Sequence, residues 1–266
     1  MVLLVGSALP ASAAADAAAA DTSGYVALGD SYSSGEANPP FVDPSCRLSV
    51  EAWPYRAGEA AGLATTDLAC SGATTADVTK GSDDRPAQVA LLASLPAEPE
   101  VVTITVGGND AGFGTVVAAC FVGDCVRGGT LPLADAYIAT VLPHRLVKTY
   151  RAVQAAAPHA RLVVVGYPRL VPTSADAVTG CPWLAERERR ELNRAADLLS
   201  LVTRLSARWV GAEYVDVRGT LRGHELCTQD PWLHPLGDLT EARSWAHPVE
   251  KGQQALADAV RPALRR

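Results

Sequence analysis

Aromatic side chains are scarce in this chain: they make up 6% of 266 residues, and only three are Phe. No platform for stacking sugar rings is evident as a result. Basic residues are also short, with 23 Lys and Arg against 29 Asp and Glu for a formal charge of −6. That balance argues against a general affinity for nucleic acid or an anionic membrane, since both need basic patches. Beyond Pro10 no stretch approaches the ~20 continuous apolar residues of a membrane span. The six cysteines include no Cys-x-x-Cys pair, and none stands near a His at zinc-site spacing, which argues against a metal role for them. No repeat, linker or composition break divides the chain, and α/β chains of roughly 200–250 residues commonly fold as one unit.

What is present begins with an apolar stretch, Val2 to Pro10, followed by the small residues Ala11-Ser12-Ala13-Ala14-Ala15 at the spacing of a signal-cleavage site. No basic region precedes it, so the expected arrangement is a signal-peptide remnant and unstructured tail over residues 1–24, then one domain over residues 25–266. A structural first helix is the rival reading. Six cysteines in an exported chain suggest a disulfide framework. Fifteen pairings exist for six cysteines. The sequential one gives the local loops Cys46–Cys70, Cys120–Cys125 and Cys181–Cys227. By chain entropy the outer two would each contribute about 3–4 kcal/mol and the middle one about 2.

The apolar run Tyr25 to Leu28 reads as a buried strand. Residues 36–50 read as loop, Glu51 to Gly62 as a short helix, Asp67 to Cys70 as a second strand and Arg85 to Leu95 as a helix. Val101 to Val106, β-branched at nearly every position, is the most strand-like segment. Residues 115–130 read as loop or short helix, and 133–157 as a long helix that Pro143 kinks or divides. Arg161 to Gly166 is the next strand. The apolar residues Leu192, Ala195, Ala196, Leu199, Val202 and Leu205 recur at helical spacing and are expected in the core. The charge run Glu186 to Arg190, with Glu191 and Arg194, reads as a solvated helix face. Ala212 to Val217 is a fifth strand, residues 218–243 are mostly irregular, and Val249 to Leu264 is a closing helix. Alternation of strand and helix predicts a parallel sheet covered on both faces.

The chemistry is expected where strands end. Gly29-Asp30-Ser31-Tyr32-Ser33 follows the first strand, Ser71-Gly72-Ala73-Thr74 the second, and Gly107-Gly108-Asn109-Asp110 the third. In an open parallel sheet these turns emerge on one edge and can meet at a crevice. Ser31 there is either a helix N-cap or a nucleophile. A nucleophilic serine attacking a carbonyl needs donors for the oxyanion, and backbone N–H groups of Gly-rich turns with an Asn amide are suitable. It also needs a base. Of five histidines, His144 and His159 fall in or beside a helix, whereas His224, His234 and His247 lie in the irregular C-terminal region. Chemistry alone does not choose between His234 and His247, since each precedes a proline.

The residues Gly29 to Gly35, Ser71 to Thr74, Gly107 to Asp110 and Ser244-Trp245-Ala246-His247-Pro248 resemble the nucleophile, glycine, asparagine and histidine blocks of the SGNH or GDSL hydrolases. The resemblance runs from Tyr25 to the end and closest to the secreted bacterial lipases, esterases and phospholipases with three disulfides, whose cysteine order matches the sequential pairing. It implies a three-layer α/β/α sandwich with a mainly parallel, five-stranded, flavodoxin-like sheet. It further implies ester hydrolysis through an acyl-enzyme, with catalytic Ser31 and His247 and an oxyanion hole of Ser31, Gly72 and Asn109. No metal or organic cofactor is implied, and the expected partner is a small-molecule or lipid ester met by a secreted monomer. One departure concerns the family pattern Asp-x-x-His: Ser244 occupies the aspartate position. The resemblance implies that the main-chain carbonyl of Ser244 orients His247 instead, with Asp238 or Glu241 as the alternative acid. A carbohydrate acetyl-esterase, a non-catalytic binding module and a thiol enzyme are the competing readings.

Overall fold

The structure, a computed structural model, describes residues 24–265 except 173, 175–178 and 182. The expected leader, apart from Gly24, lies outside the described residues. Strand β1 (Tyr25–Gly29) runs into the single-turn helix α1 (Ser31–Ser34). The stretch read as loop contains a small antiparallel pair, β2 (Phe41–Asp43) and β3 (Leu48–Ser49). Helix α2 (Trp53–Ala61) carries Pro54 in its first turn, where the missing N–H has no intrahelical partner to lose. Strand β4 is Thr65–Asp67, upstream of the expected Asp67 to Cys70. The ladder frays rather than stops there, because the N–H groups of Leu68 and Cys70 still donate to the carbonyls of Ala27 and Gly29 at 2.8 and 3.0 Å.

Helices α3 (Thr75–Thr79) and α4 (Gln88–Ala93) lead to β5 (Val101–Thr105). The segment read as loop or short helix holds α5 (Phe113–Val122), and Pro143 divides the next helical stretch into α6 (Thr130–Thr140) and α7 (Leu142–Ala156). Then come β6 (Arg161–Val165), the long α8 (Glu186–Trp209), β7 (Glu213–Val215) and α9 (Glu250–Leu264). The cysteines pair sequentially, and no free cysteine occurs among the described residues.

The five-stranded sheet has the order β4-β1-β5-β6-β7 and is parallel throughout. Parallel neighbours need crossovers, so helices cover both faces and the strands read as continuous apolar runs. Within those runs the two faces separate at a period of two residues. Val26, Leu28, Val102 and Ile104 cluster with Leu146 and Tyr150 of α7, whereas Tyr25, Ala27 and Val101 cluster with Trp53 of α2 and Leu256 of α9. The result is the expected α/β/α sandwich with flavodoxin-like strand order. Its order reverses between β1 and β5, and that switch point is where such sheets open a crevice.

Two expectations about α8 are corrected. Leu205 is 53% exposed rather than in the core, because the stripe drifts off the buried face towards the helix end. The charge run is not uniformly solvated: Glu188 and Arg189 are buried. Glu188 accepts the N–H groups of Cys125 and Ala185 at 3.2 and 3.1 Å, and Arg189 donates to the Leu184 carbonyl at 2.8 Å. Those bonds satisfy polar groups that burial would otherwise leave unpaired.

At the switch point Gly29 takes a left-handed φ of 130°, and a Cβ there would lie 2.2 Å from the Thr105 carbonyl oxygen. Only glycine lets β1 turn so close to β5. Gly29→Ala should cost about 2–5 kcal/mol of stability from strain and overpacking together, measured by urea unfolding. A loss within experimental error would mean the turn can relax away from β5.

Candidate active site

Ser31 is the first residue of α1, and it does not cap it. Asp30 does, accepting the Tyr32 N–H at 3.0 Å, so the serine hydroxyl is left to other use. The turn is braced from below by Gln88, whose side chain accepts the Gly29 N–H and donates to the Gly29 carbonyl, both at 2.8 Å. Asp30 is buried, and burial pushes its carboxyl up to about 7 against the lowering effect of the Tyr167 hydroxyl. Tyr167 O–H donates to Asp30 Oδ2 at 2.5 Å and accepts the Gly108 N–H at 3.0 Å. One phenol thus ties the turn after β1 to the turn after β5.

The glycine and asparagine blocks are joined in the same manner. Asn109 Nδ2 donates to the Ala73 carbonyl at 3.0 Å, which leaves the second N–H of that amide for another acceptor. Asp110 accepts the Thr75 N–H and hydroxyl at 2.8 and 2.6 Å. Gly72 sits at φ 83°, a left-handed value that favours glycine. Among the described residues, neither the Ser31 N–H nor the Gly72 N–H has a hydrogen-bond partner. Three donors are therefore held at the sheet edge with capacity to spare.

His247 arrives from the far end of the chain, and its Nε2 lies 2.7 Å from Ser31 Oγ. Its loop is clasped by backbone bonds: Ala246 N–H donates to the His234 carbonyl at 2.9 Å and His234 N–H to the His247 carbonyl at 2.8 Å. Tyr32 O–H donates to the Ala246 carbonyl at 2.7 Å, and Asn38 donates to the Pro248 carbonyl at 2.8 Å. Ala246 is held at φ 59°, a left-handed conformation costly for a residue with a Cβ. His234 is thus a backbone brace; its ring turns to the Pro235 carbonyl at 3.1 Å. His224 stacks on Trp232 and His159 pairs with Glu98, both outside the site.

The His247 ring is packed between Tyr32 and Phe113, at centroid distances of 5.3 and 5.6 Å. Burial pushes its pKa down to about 4, opposed by the carbonyls of Ser244 and Trp245. The Ser244 carbonyl accepts the His247 backbone N–H at 3.1 Å. Nδ1 itself makes no well-aligned hydrogen bond among the described residues, so these carbonyls act on the ring through their dipoles. No carboxylate hydrogen-bonds the ring among those residues either: the Asp238 side chain accepts the N–H and hydroxyl of Thr240 at 2.9 and 2.7 Å, and Glu241 is exposed. Cys120, Cys125 and Glu188 come together, but the sulfurs are bonded to each other and offer no thiolate to a metal.

An apolar groove, open to solvent, adjoins the site. Tyr32 and Gly108, the neighbours of Ser31 and Asn109, form its inner end, and Leu192, Ala195, Ala196 and Leu199 of α8 line one wall. Four of the six residues of the stripe read as core are therefore groove wall. Sequence reasoning missed Tyr167, read only as a turn former, and Phe113; nothing in their spacing marks them, since both reach the site from loops or helix ends.

The buried, neutral ring has a measurable consequence. His247 should titrate in NMR spectra with a midpoint near pH 4, well below the ordinary 6.5. The unfolded chain takes up this proton as pH falls through 6.5 and the native state only near 4, so the ring's own contribution to stability is lost as pH falls across that window, opposed by Asp30, whose raised carboxyl takes up its proton first in the native state. A titration midpoint at 6.5 or above would show the ring to be solvated.

The comparisons with known proteins concern the family and the fold. Residues 27–255 match the model of the GDSL-like lipase/acylhydrolase family. The chain is 39% identical over 260 residues to Lipase 1 of Streptomyces coelicolor, covering 95% of this chain and 91% of that one. Among solved structures, an extracellular lipase from Streptomyces rimosus superposes with a TM-score of 0.77 at 34% identity, covering 90% of this chain and 98% of that one. Phospholipase A1 from Streptomyces albidoflavus superposes with a TM-score of 0.74 at 36% identity, covering 87% and 94%. With the glycine, asparagine and histidine turns gathered around one serine and a family match over most of its length, the chain belongs to the GDSL-like lipase/acylhydrolases.

Proposed function

We propose that this protein is a secreted ester hydrolase that cleaves fatty acyl esters through an acyl-enzyme, within a single domain over residues 25–266. The observation that carries the reading is the 2.7 Å contact between His247 Nε2 and Ser31 Oγ beside three unsaturated N–H donors. His247 takes the Ser31 proton as Oγ attacks the ester carbonyl. The Ser31 and Gly72 N–H groups and the free Asn109 N–H bind the oxyanion. The tetrahedral intermediate expels the alcohol, which leaves with the proton from the imidazolium. Water then attacks the acyl-enzyme by the same route and releases the acid. The Ser244 carbonyl orients the ring from behind, a weaker support for imidazolium than a carboxylate. None of these steps calls on a cofactor.

The acyl chain lies in the apolar groove, whose lining favours a fatty chain over an acetyl group. A phospholipid is the second reading, favoured by the 36% identity to a phospholipase A1. Export is supported by the three disulfides and by the extracellular lipase it resembles. Among the described residues no helix is long and apolar enough to cross a membrane, and the protein meets its lipid substrate as a monomer at the interface.

Ser31→Ala should reduce turnover of a p-nitrophenyl ester by about 10⁴-fold or more while costing no more than about 1 kcal/mol in stability; retained turnover would end this reading. Ala195→Trp, which fills the groove, should lower kcat/KM for p-nitrophenyl decanoate at least about tenfold and leave the acetate within about twofold. Equal losses on both esters would place the acyl chain elsewhere.

A further inference from the structure

Glu36 is wholly buried, and burial pushes its carboxyl pKa up against the lowering effect of the Ser71 hydroxyl and the Arg47 cation. It directly follows Gly35, which closes α1 in a left-handed conformation, and its N–H donates to the Ser31 carbonyl at 3.3 Å. One carboxylate oxygen accepts the Ser71 hydroxyl, next to Gly72, and the other forms an ion pair with Arg47. Arg47 extends from the β2–β3 connection, stacked 4.4 Å from the Phe41 ring centroid, and donates to Ser244 Oγ at 3.3 Å. Arg47 also donates to the Glu36 carbonyl at 3.4 Å. A buried carboxylate thus links the serine turn, the glycine turn and the histidine loop, yet it touches none of the reacting atoms. A buried charge in a non-reacting position is costly to keep, which calls for a role.

We propose that Glu36 is a positioning residue of the site: its carboxylate holds Ser71 beside Gly72 and balances the Arg47 cation that reaches the His247 loop at Ser244. The titratable or charged groups facing His247 are Arg47 and His234, and positive charge on either disfavours a protonated ring. Those facing Glu36 are Arg47 and Arg243. Glu36 therefore supplies, at one remove, the negative charge that an aspartate behind the histidine would have brought into direct contact. The Ser244 and Trp245 carbonyl dipoles act on the ring, and Glu36 supplies the charge balance.

The proposal rests on Ser31 and His247 being the reacting pair, so the test first labels wild-type protein with a fluorophosphonate. Failure of the wild type to label would remove the Ser31 reading itself. With labelling used to count active sites, Glu36→Gln keeps an acceptor for Ser71 and loses only the charge. The expected result is a fall in kcat of about tenfold, the equivalent of one pKa unit on the ring, with KM within about twofold. The acid limb of kcat should move to lower pH, because Arg47 then faces His247 uncompensated. Glu36→Gln combined with Arg47→Gln should bring the acid limb back and recover part of the lost kcat. A purely structural role would lower the active fraction and leave the pH profile of the labelled sites unmoved, and that outcome overturns the proposal, as does a double variant no better than the single one. Should Glu36→Gln fail to fold, Arg47→Gln reads the same link in the opposite direction: the acid limb should rise, and an unmoved limb sinks the idea.

Discussion

The hydrogen bond between Ser31 Oγ and His247 Nε2 joins residues separated by 216 positions, and much of the architecture serves to make that contact short. The serine end is fixed by backbone geometry: Gly29 passes against the Thr105 carbonyl, Gln88 satisfies both of its peptide groups, and the Asp30 cap starts a helix of one turn. The histidine end is fixed by a clasp with the Leu233–His234 segment and by side chains reaching from α1 and the loop after it, Tyr32 and Asn38. That suits a reaction in which small displacements cost large factors in rate.

The electrostatics of the site follow from its burial. A histidine enclosed by Tyr32 and Phe113 is held neutral, which suits a proton acceptor but makes the transient imidazolium costly. Carbonyl dipoles of Ser244 and Trp245 oppose that cost. An ion pair, Glu36 with Arg47, stands one side chain further out. Asp30 shows the same tension on the other flank: burial drives its pKa up while the Tyr167 hydroxyl holds it down. The groove beyond is apolar, so a fatty chain entering it would displace water and strengthen these interactions further.

Much of this was legible beforehand, for identifiable reasons. Val101 to Thr105 reads as a strand because β-branched residues fill it, and Pro143 marks the break between α6 and α7 because it lacks an N–H. β4 was displaced because its ladder continues past the last regular pair, so pairing and small residues overlap there. The α8 stripe was misjudged because periodicity reports that one face is apolar and does not report what covers it. Part of that face meets other helices, part lines the groove, and Leu205 meets solvent. Glu188 looked like one charge in a solvated run; only the Cys120–Cys125 loop folding back onto its carboxylate explains its burial.

Local chemistry by itself determined the order of the main strands and helices, the turns that carry Ser31, Gly72 and Asn109, and the lack of an acid before His247. These are properties of spacing and residue type, and they survive in any fold that respects them. The choice of His247 over His234 is different in kind: both precede proline, and chemistry alone left the two equal. The resemblance of residues 244–248 to the histidine block singled out His247; only the tertiary structure decided how the two part, by pairing their backbones so that one ring turns to Ser31 and the other to its own neighbouring carbonyl. The Glu36, Arg47 and Ser244 link was likewise decided only there, because charge balance across a site depends on distance in space and not along the chain.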